Sequence, residues 1–341
     1  MKIESDPKLD FNNVLIRPKR TILKSRSDVE IEREFTFPHS TSTWKGVPVI
    51  ASNMDTIGTI QVYQELSKHK IITALHKFYE LDDLKNVGLN KDYYMISTGI
   101  SETDYRRLRN ILDNLDVKWV CIDVANGYMQ QLVDFCKKVR ENYPDKILVA
   151  GNVVSREMTE ELIINGKVDV VKIGIGPGSA CVTRLKTGVG MPQLSAVIES
   201  GDAAHGLNGY IISDGGITCP GDMAKAFGGG ADFVMVGGQF AGHDENPGDI
   251  VEENGQKYKI FYGMSSEHAM KKHYGKMENY RSSEGRFIKI KYKGPIENTV
   301  LDFLGGVRST CTYINAKCIK NMSKCTTFVM VSQQLNNHFN N

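Results

Sequence analysis

The chain has 341 residues, 41% of them hydrophobic, enough to bury one large α/β core or two smaller ones. Its formal charge of +2 is close to neutral, so it lacks the broad basic field that sequence-independent nucleic-acid binding needs, and no apolar run is long enough to cross a bilayer. Seven cysteines, at 121, 136, 181, 219, 311, 318 and 325, are scattered without a Cys-x-x-Cys pair, which speaks for reduced thiols in a cytosolic protein and against a disulfide framework or structural zinc.

The first residues, MKIESDPKLDFNNVLIRPKR, carry no signal-peptide core and open an N-terminal arm of about 45 residues. After it, short runs rich in Val, Ile and Leu alternate with helical patterns, at 47–51, 71–75, 94–98, 119–124, 147–150, 168–173, 210–213 and 233–236. Most are nearly continuous apolar runs, the pattern of strands covered on both faces. Eight such units predict a (β/α)8 TIM barrel, a single domain over 1–341. A doubly wound open sheet shares the rhythm, but the early Gly-x-Gly-x-x-Gly turn of a dinucleotide-binding half is missing.

Barrel chemistry sits at the C-terminal ends of the strands. Here those ends are Ser52 to Asp55, His76-Lys77, Asp123 to Gly127, the loop after the sixth run, Asp214-Gly215-Gly216 and Gly237-Gly238. Glycine pairs after strands seven and eight are where barrels commonly build a phosphate site from backbone N–H groups, so a phosphorylated ligand is expected. The same glycines also serve simply to end strands.

The loop 172–193, KIGIGPGSACVTRLKTGVGMPQ, sets Cys181 among glycines directly after a β-branched run. Arg184 follows three residues later, able to favour thiolate, and the arrangement points to a nucleophile. The plain alternative is a small packed side chain beside a turn. The segment 240–306 is too long for an ordinary connection and reads as a lid, with 245–259 as a solvated β-hairpin turning at Asn254-Gly255; the terminal NNHFNN reads as a frayed polar tail.

These residues carry a resemblance. LDFNNVLIRPKR, ASNMDT, CIDVANGY, KIGIGPGSACVTRLKTGVGMPQLSAV, IISDGG, FVMVGG, FYGMSSEHAMKKHYG, YRSSEG and GGVRSTCTY together are similar to the IMP dehydrogenase/GMP reductase family across nearly the whole chain. The reductase branch fits better than the dehydrogenase: no pair of CBS modules interrupts the barrel, KTGVGMPQ continues the cysteine loop, and YRSSEG stands where the dehydrogenases have a longer flap with an Arg-Tyr dyad. The resemblance implies reductive deamination, in which GMP, NADPH and two protons give IMP, ammonium and NADP⁺ through a thioimidate on Cys181. It implies Thr183 and Glu284 as proton relay, with Lys77 supporting the relay or touching the cofactor. A rival from another class is a nucleotide sensor that binds without turnover.

Carried over residue by residue, the resemblance puts phosphate on Ser179, Gly215, Gly216, Gly237 and Gly238, and the ribose hydroxyls on Asp214. Gly263, Met264, Ser265, Arg281, Ser282, Ser283, Glu284 and Gly285 would close over the substrate. NADPH would meet Lys77, Asp123, Val124, Ala125, Ile175, Gly176, Met264 and Tyr280, with Ser25, Arg26, Ser309, Thr310, Cys311 and Thr312 supplied across a subunit boundary of a homotetramer. A potassium ion would take backbone carbonyls of Gly176, Gly178, Cys181 and Arg184. No nucleic-acid or membrane partner is implied.

Overall fold

The structure, a computed structural model, describes residues 3–264, 266, 273 and 285–332. Eight parallel strands close into a barrel: β1 (Val49–Ala51), β2 (Ile72–Leu75), β3 (Tyr94–Thr98), β4 (Trp119–Asp123), β5 (Ile147–Val153), β6 (Val170–Ile173), β7 (Tyr210–Asp214) and β8 (Phe233–Val236). Each pairs with its chain neighbours, and β8 returns to β1. The eight expected runs are these strands, with ends shifted by a few residues; β5 continues to Val153 rather than stopping at 150.

Why the runs look uniformly apolar is visible in the two layers they bury. Along β4, Trp119 and Cys121 face the barrel interior while Val120 and Ile122 pack outward on the helices; along β6, Val170 faces in and Val171 and Ile173 face out. Strand periodicity of two thus separates an inner core from an outer one without any polar face. The helices show the complementary pattern. Glu102–Leu112 is started by Ser101, whose hydroxyl accepts from the Asp104 N–H while the Asp104 carboxylate takes the Ser101 N–H, and it buries Tyr105, Leu108, Ile111 and Leu112.

The N-terminal arm is more than an extension. Arg33–Thr36 and Thr43–Gly46 form an antiparallel hairpin that closes the bottom of the barrel. Phe35 stacks on Phe233 at 4.4 Å between ring centroids, and Phe37 and Trp44 meet Trp119 edge-on at 5.1 and 5.7 Å. Earlier in the arm, Val14–Ile16 pairs with Phe328–Met330, tying the two ends of the described chain together.

After β8, the hairpin expected at 245–259 is present as Val251–Glu253 and Gln256–Tyr262. Its turn residues Asn254 and Gly255 both have positive φ, at 52° and 73°, as a two-residue hairpin turn requires. It is largely solvated as expected, with residues 252–257 exposed, and Phe287–Lys291 adds a third strand beyond it, where Lys259, Phe261 and Tyr262 are buried. The helix Ile296–Ile314 begins inside the segment expected to be lid and packs on the barrel helix Pro220–Gly228, so residues from 296 onward belong to the barrel wall. The NNHFNN tail lies outside the described residues. No helix among the described residues is long and apolar enough to cross a membrane.

Candidate active site

A cavity of about 600 Å³ opens at the C-terminal ends of the strands. The thiol of Cys181, half-buried in the loop after β6, is among the groups that line it. Cys181 Sγ donates to Thr183 Oγ1 at 3.2 Å. The loop is held from both sides. Below, Asp10 of the arm pairs with Arg184 at 3.0 Å and accepts the Gln193 N–H. Above, Arg286 clamps the Ser179 carbonyl through Nε and Nη2 at 2.9 and 2.7 Å, and its N–H donates to the Ala180 carbonyl. Arg184 therefore does not do what its spacing suggested: its guanidinium is spent on Asp10 and the Met191 carbonyl, and it fixes the loop rather than serving the thiol.

Ser179 and the glycines after β7 and β8 form a tight cradle. A Cβ on Gly238 would lie 2.5 Å from Ser179 Oγ, and Gly215, at φ 94°, would place one 2.8 Å from Pro177. Side chains are excluded there, so the wall is built of backbone, and backbone N–H groups are the donors that suit an anion such as phosphate. Gly216 and Gly237 line the same wall, and Asp214 stands beside it.

Lys77, Val124, Ala125, Ile175, Gly176 and Gly178 line the cavity too, as do Gly263, Met264 and Gly285 from the segment after β8. That segment is anchored at Asp55, which is 4% exposed. Asp55 accepts from Tyr262 Oη at 2.8 Å and meets His273 Nε2 at 2.6 Å, and the His273 ring stacks on Phe78 at 3.6 Å. Ser265, Tyr280, Arg281, Ser282, Ser283 and Glu284 lie outside the described residues.

Three further residues complete the floor: Asn53, from the strand-end run Ser52 to Asp55, and Lys172 and Asn152, which had no expected role. Lys172, 1% exposed, donates to Asp123 at 2.9 Å and lies 3.3 Å from Asp214. Asn53 donates to Asp123 at 2.7 Å, and Asn152 donates to Asp214 at 2.8 Å. Burial works against the charge on Asp123, but Lys172 and the Asn53 amide outweigh it and hold the carboxyl below the usual carboxylate range. Lysine in a strand reads as an interruption in VVKI, yet its phase with inward-facing Val170 was the signal that it points into the barrel.

Ser25, Arg26, Ser309, Thr310, Cys311 and Thr312 are not among the residues that line the cavity. They gather elsewhere: the turn Arg26–Asp28 packs on the helix Ile296–Ile314, and Arg308 donates to the Val29 carbonyl at 2.6 Å. Ser25 and Arg26 are exposed and Ser309, Thr310 and Thr312 half-buried, but Cys311 is a core residue with no exposed thiol. Its expected contact with a cofactor is not available to its side chain.

The profile of the IMP dehydrogenase/GMP reductase domain matches residues 8–337. The chain belongs to this family. Within it, proteins of Escherichia coli (strain K12 / DH10B) and Shigella boydii serotype 18 that carry the name GMP reductase are each 57% identical to the chain over 347 aligned positions, covering all of both sequences. The barrel of this family member is thus the expected one.

Proposed function

We propose that this member of the family is a GMP reductase, an NADPH-dependent oxidoreductase that converts GMP to IMP and ammonia in purine nucleotide interconversion and salvage. One arrangement carries the reading: Cys181, with Thr183 3.2 Å away, faces Asp214 and the glycine cradle across a single cavity. The full-length relatives named GMP reductase support it.

In this reading GMP is seated with its phosphate on Ser179, Gly215, Gly216, Gly237 and Gly238 and its ribose on Asp214. The Cys181 thiolate adds to C2 of the purine, forming a thioimidate once the 2-amino group leaves. An amine leaves only when protonated, so a donor must reach the nitrogen on the carbon that sulfur attacks. Thr183 qualifies because its hydroxyl already reaches the sulfur, with Glu284 behind it as the proton source. When bound, NADPH would supply a hydride to C2, after which the C2–S bond breaks, returning the Cys181 thiolate and leaving IMP. Lys77, Asp123, Val124, Ala125, Ile175, Gly176, Met264 and Tyr280 would hold it.

Ser25, Arg26 and the 309–312 segment reach the cofactor only from another subunit, since they gather away from the chain's own cavity; a homotetramer in the cytoplasm is the proposed form. The carbonyls of Gly176, Gly178, Cys181 and Arg184 would hold potassium. Those of Gly178 and Arg184 accept hydrogen bonds from Cys181 and Gly188, which leaves each a second lone pair for a weakly held cation.

The deciding assay follows reduced nicotinamide with GMP as substrate, and with IMP as the control. GMP-dependent oxidation of NADPH with ammonium release is expected; NAD⁺ reduction by IMP with formation of XMP would mean a dehydrogenase, and GMP binding without turnover a sensor.

Alkylation with iodoacetamide should single out the same thiol. Cys121, Cys136 and Cys311 are fully buried, and burial pushes the Cys121 and Cys311 thiols up to about 12, so they stay unlabelled in folded protein. Cys219 is exposed and should be labelled whether or not GMP is present. Only Cys181 lies on the cavity, so only its labelling should slow when GMP is added, as read by peptide mass mapping. Equal protection of Cys219 would remove the link between thiol and ligand.

Glu284→Gln tests the relay. General acid catalysis is worth about 10²–10⁴-fold, and the forward rate should fall within that range. In the reverse direction, IMP and NADP⁺ should still give NADPH in a single turnover, because forming the thioimidate from IMP needs no ammonia. A parallel loss in that partial reaction would make Glu284 a base-binding residue.

A further inference from the structure

We infer that Lys172 is a positioning residue that fixes, from beneath the cavity, the carboxylates of both ligand-facing aspartates, and so couples the cofactor side of the site to the ribose side. The inference rests on the proposed reading of that site. Its grounds are the strand geometry. Lys172 sits on β6 in phase with Val170, so its side chain enters the barrel interior, where it is 1% exposed. In the sheet register Asp123 of β4 is opposite Gly151 of β5, and Gly151 is opposite Lys172. The residue between them has no side chain, and a Cβ there would come within 2.6 Å of the Lys172 Cβ. Across that gap the ammonium reaches Asp123 Oδ1 at 2.9 Å. On its other side lies β7, with Ile212 opposite Lys172 and Asp214 two residues further along, 3.3 Å from the ammonium.

One buried cation therefore serves two carboxylates that belong to different subsites. Its third neighbour is neutral, the Asn53 Oδ1 at 3.4 Å, and Asn53 in turn holds the second oxygen of Asp123. Burial disfavours the charged ammonium, but the two aspartates outweigh it and raise its pKa above that of an ordinary lysine, so the cation is permanent at neutral pH. With the cation gone, each carboxylate loses its buried counter-charge and keeps an amide donor, Asn53 for Asp123 and Asn152 for Asp214. A change at either aspartate also leaves the lysine to the other, which is how occupancy of one subsite is felt at the second.

The test uses the full chain. Lys172→Met puts in an unbranched side chain only one heavy atom shorter, so it keeps most of the packing while leaving both carboxylates without their buried cation. The expected result is a rise of about tenfold or more in the KM of both GMP and NADPH, with Lys172→Gln in between. A lysine that only fills the core would lower the melting temperature and leave both KM values of the folded enzyme unchanged, and that outcome, or a rise in one KM alone, overturns the inference. If neither Lys172 variant folds, Asp123→Asn decides: GMP affinity measured calorimetrically without cofactor should change at least threefold, although the substitution is on the cofactor side. Unchanged GMP affinity refutes the coupling. Wild-type protein that neither binds GMP nor oxidises NADPH overturns the functional reading and this inference with it, whereas an active wild type with unaffected variants overturns only the role of Lys172.

Discussion

Cys181→Ala is expected to abolish GMP-dependent oxidation of NADPH, lowering turnover by a factor on the order of 10⁴ or more, as removal of a covalent nucleophile does. The substitution takes away one sulfur atom and the bond it donates to Thr183, and little else. The loop's geometry is set by the Asp10–Arg184 pair below and by Arg286 on the Ser179 carbonyl above, and neither involves the thiol. GMP affinity should therefore stay within about tenfold of wild type, equivalent to about 1.4 kcal/mol. Calorimetric binding and a nicotinamide absorbance assay on one preparation check both halves. Substantial turnover in the variant would remove Cys181 from the chemistry, and loss of GMP binding would make its role structural.

Asp169→Ala is expected to have the largest effect on stability, at the opposite end of the barrel from the cysteine. Asp169 is fully buried just before β6 and accepts four hydrogen bonds. Three come from backbone: His39 and Ser40 N–H at 2.9 and 3.1 Å, and Leu148 N–H at 3.0 Å. The fourth is from Arg140 Nη2 at 2.6 Å, and Arg140 is itself only 8% exposed. Alanine leaves a buried guanidinium without its counter-charge and three amides without acceptors. Breaking one partner of a buried ion pair costs about 3–5 kcal/mol, a large part of a total stability of about 5–15 kcal/mol. The denaturation midpoint should fall accordingly, while protein that remains folded keeps its activity, because the site lies at the other end of the strands. An unchanged midpoint would show that the hairpin plug and β6 are held by packing alone.

Asp169 and Cys181 lie only twelve positions apart in the sequence, and the contrast between them marks what each kind of information carries. The eight strands were legible because each is a short apolar run with a helical pattern after it, and a strand covered on both faces needs that composition whatever its neighbours are. The cysteine loop and the glycine pairs were legible for a related reason: local backbone demands at a strand end restrict residue type locally. The hairpin turn at Asn254-Gly255 belongs to the same class, since positive φ at both positions is a property of the turn alone.

What the sequence did not disclose depends on residues meeting across the barrel. The arm's Phe35, Phe37 and Trp44 become a plug only because Trp119 and Phe233 wait inside a closed sheet. Arg184 stands three residues from the thiol, yet Asp10, 174 positions away, claims its guanidinium. Lys172 looks like a surface charge until closure of the sheet places it between aspartates from β4 and β7 with a glycine opening the way. By itself, the sequence determined the order of strands and helices, the cysteine loop and the glycine turns at the strand ends, because these rest on interactions between near neighbours in the chain. Tertiary structure alone decided which charges are paired, which end is plugged and which aspartates share a cation, because Coulomb forces and packing act between whatever closure of the barrel brings within a few ångströms, regardless of separation along the chain.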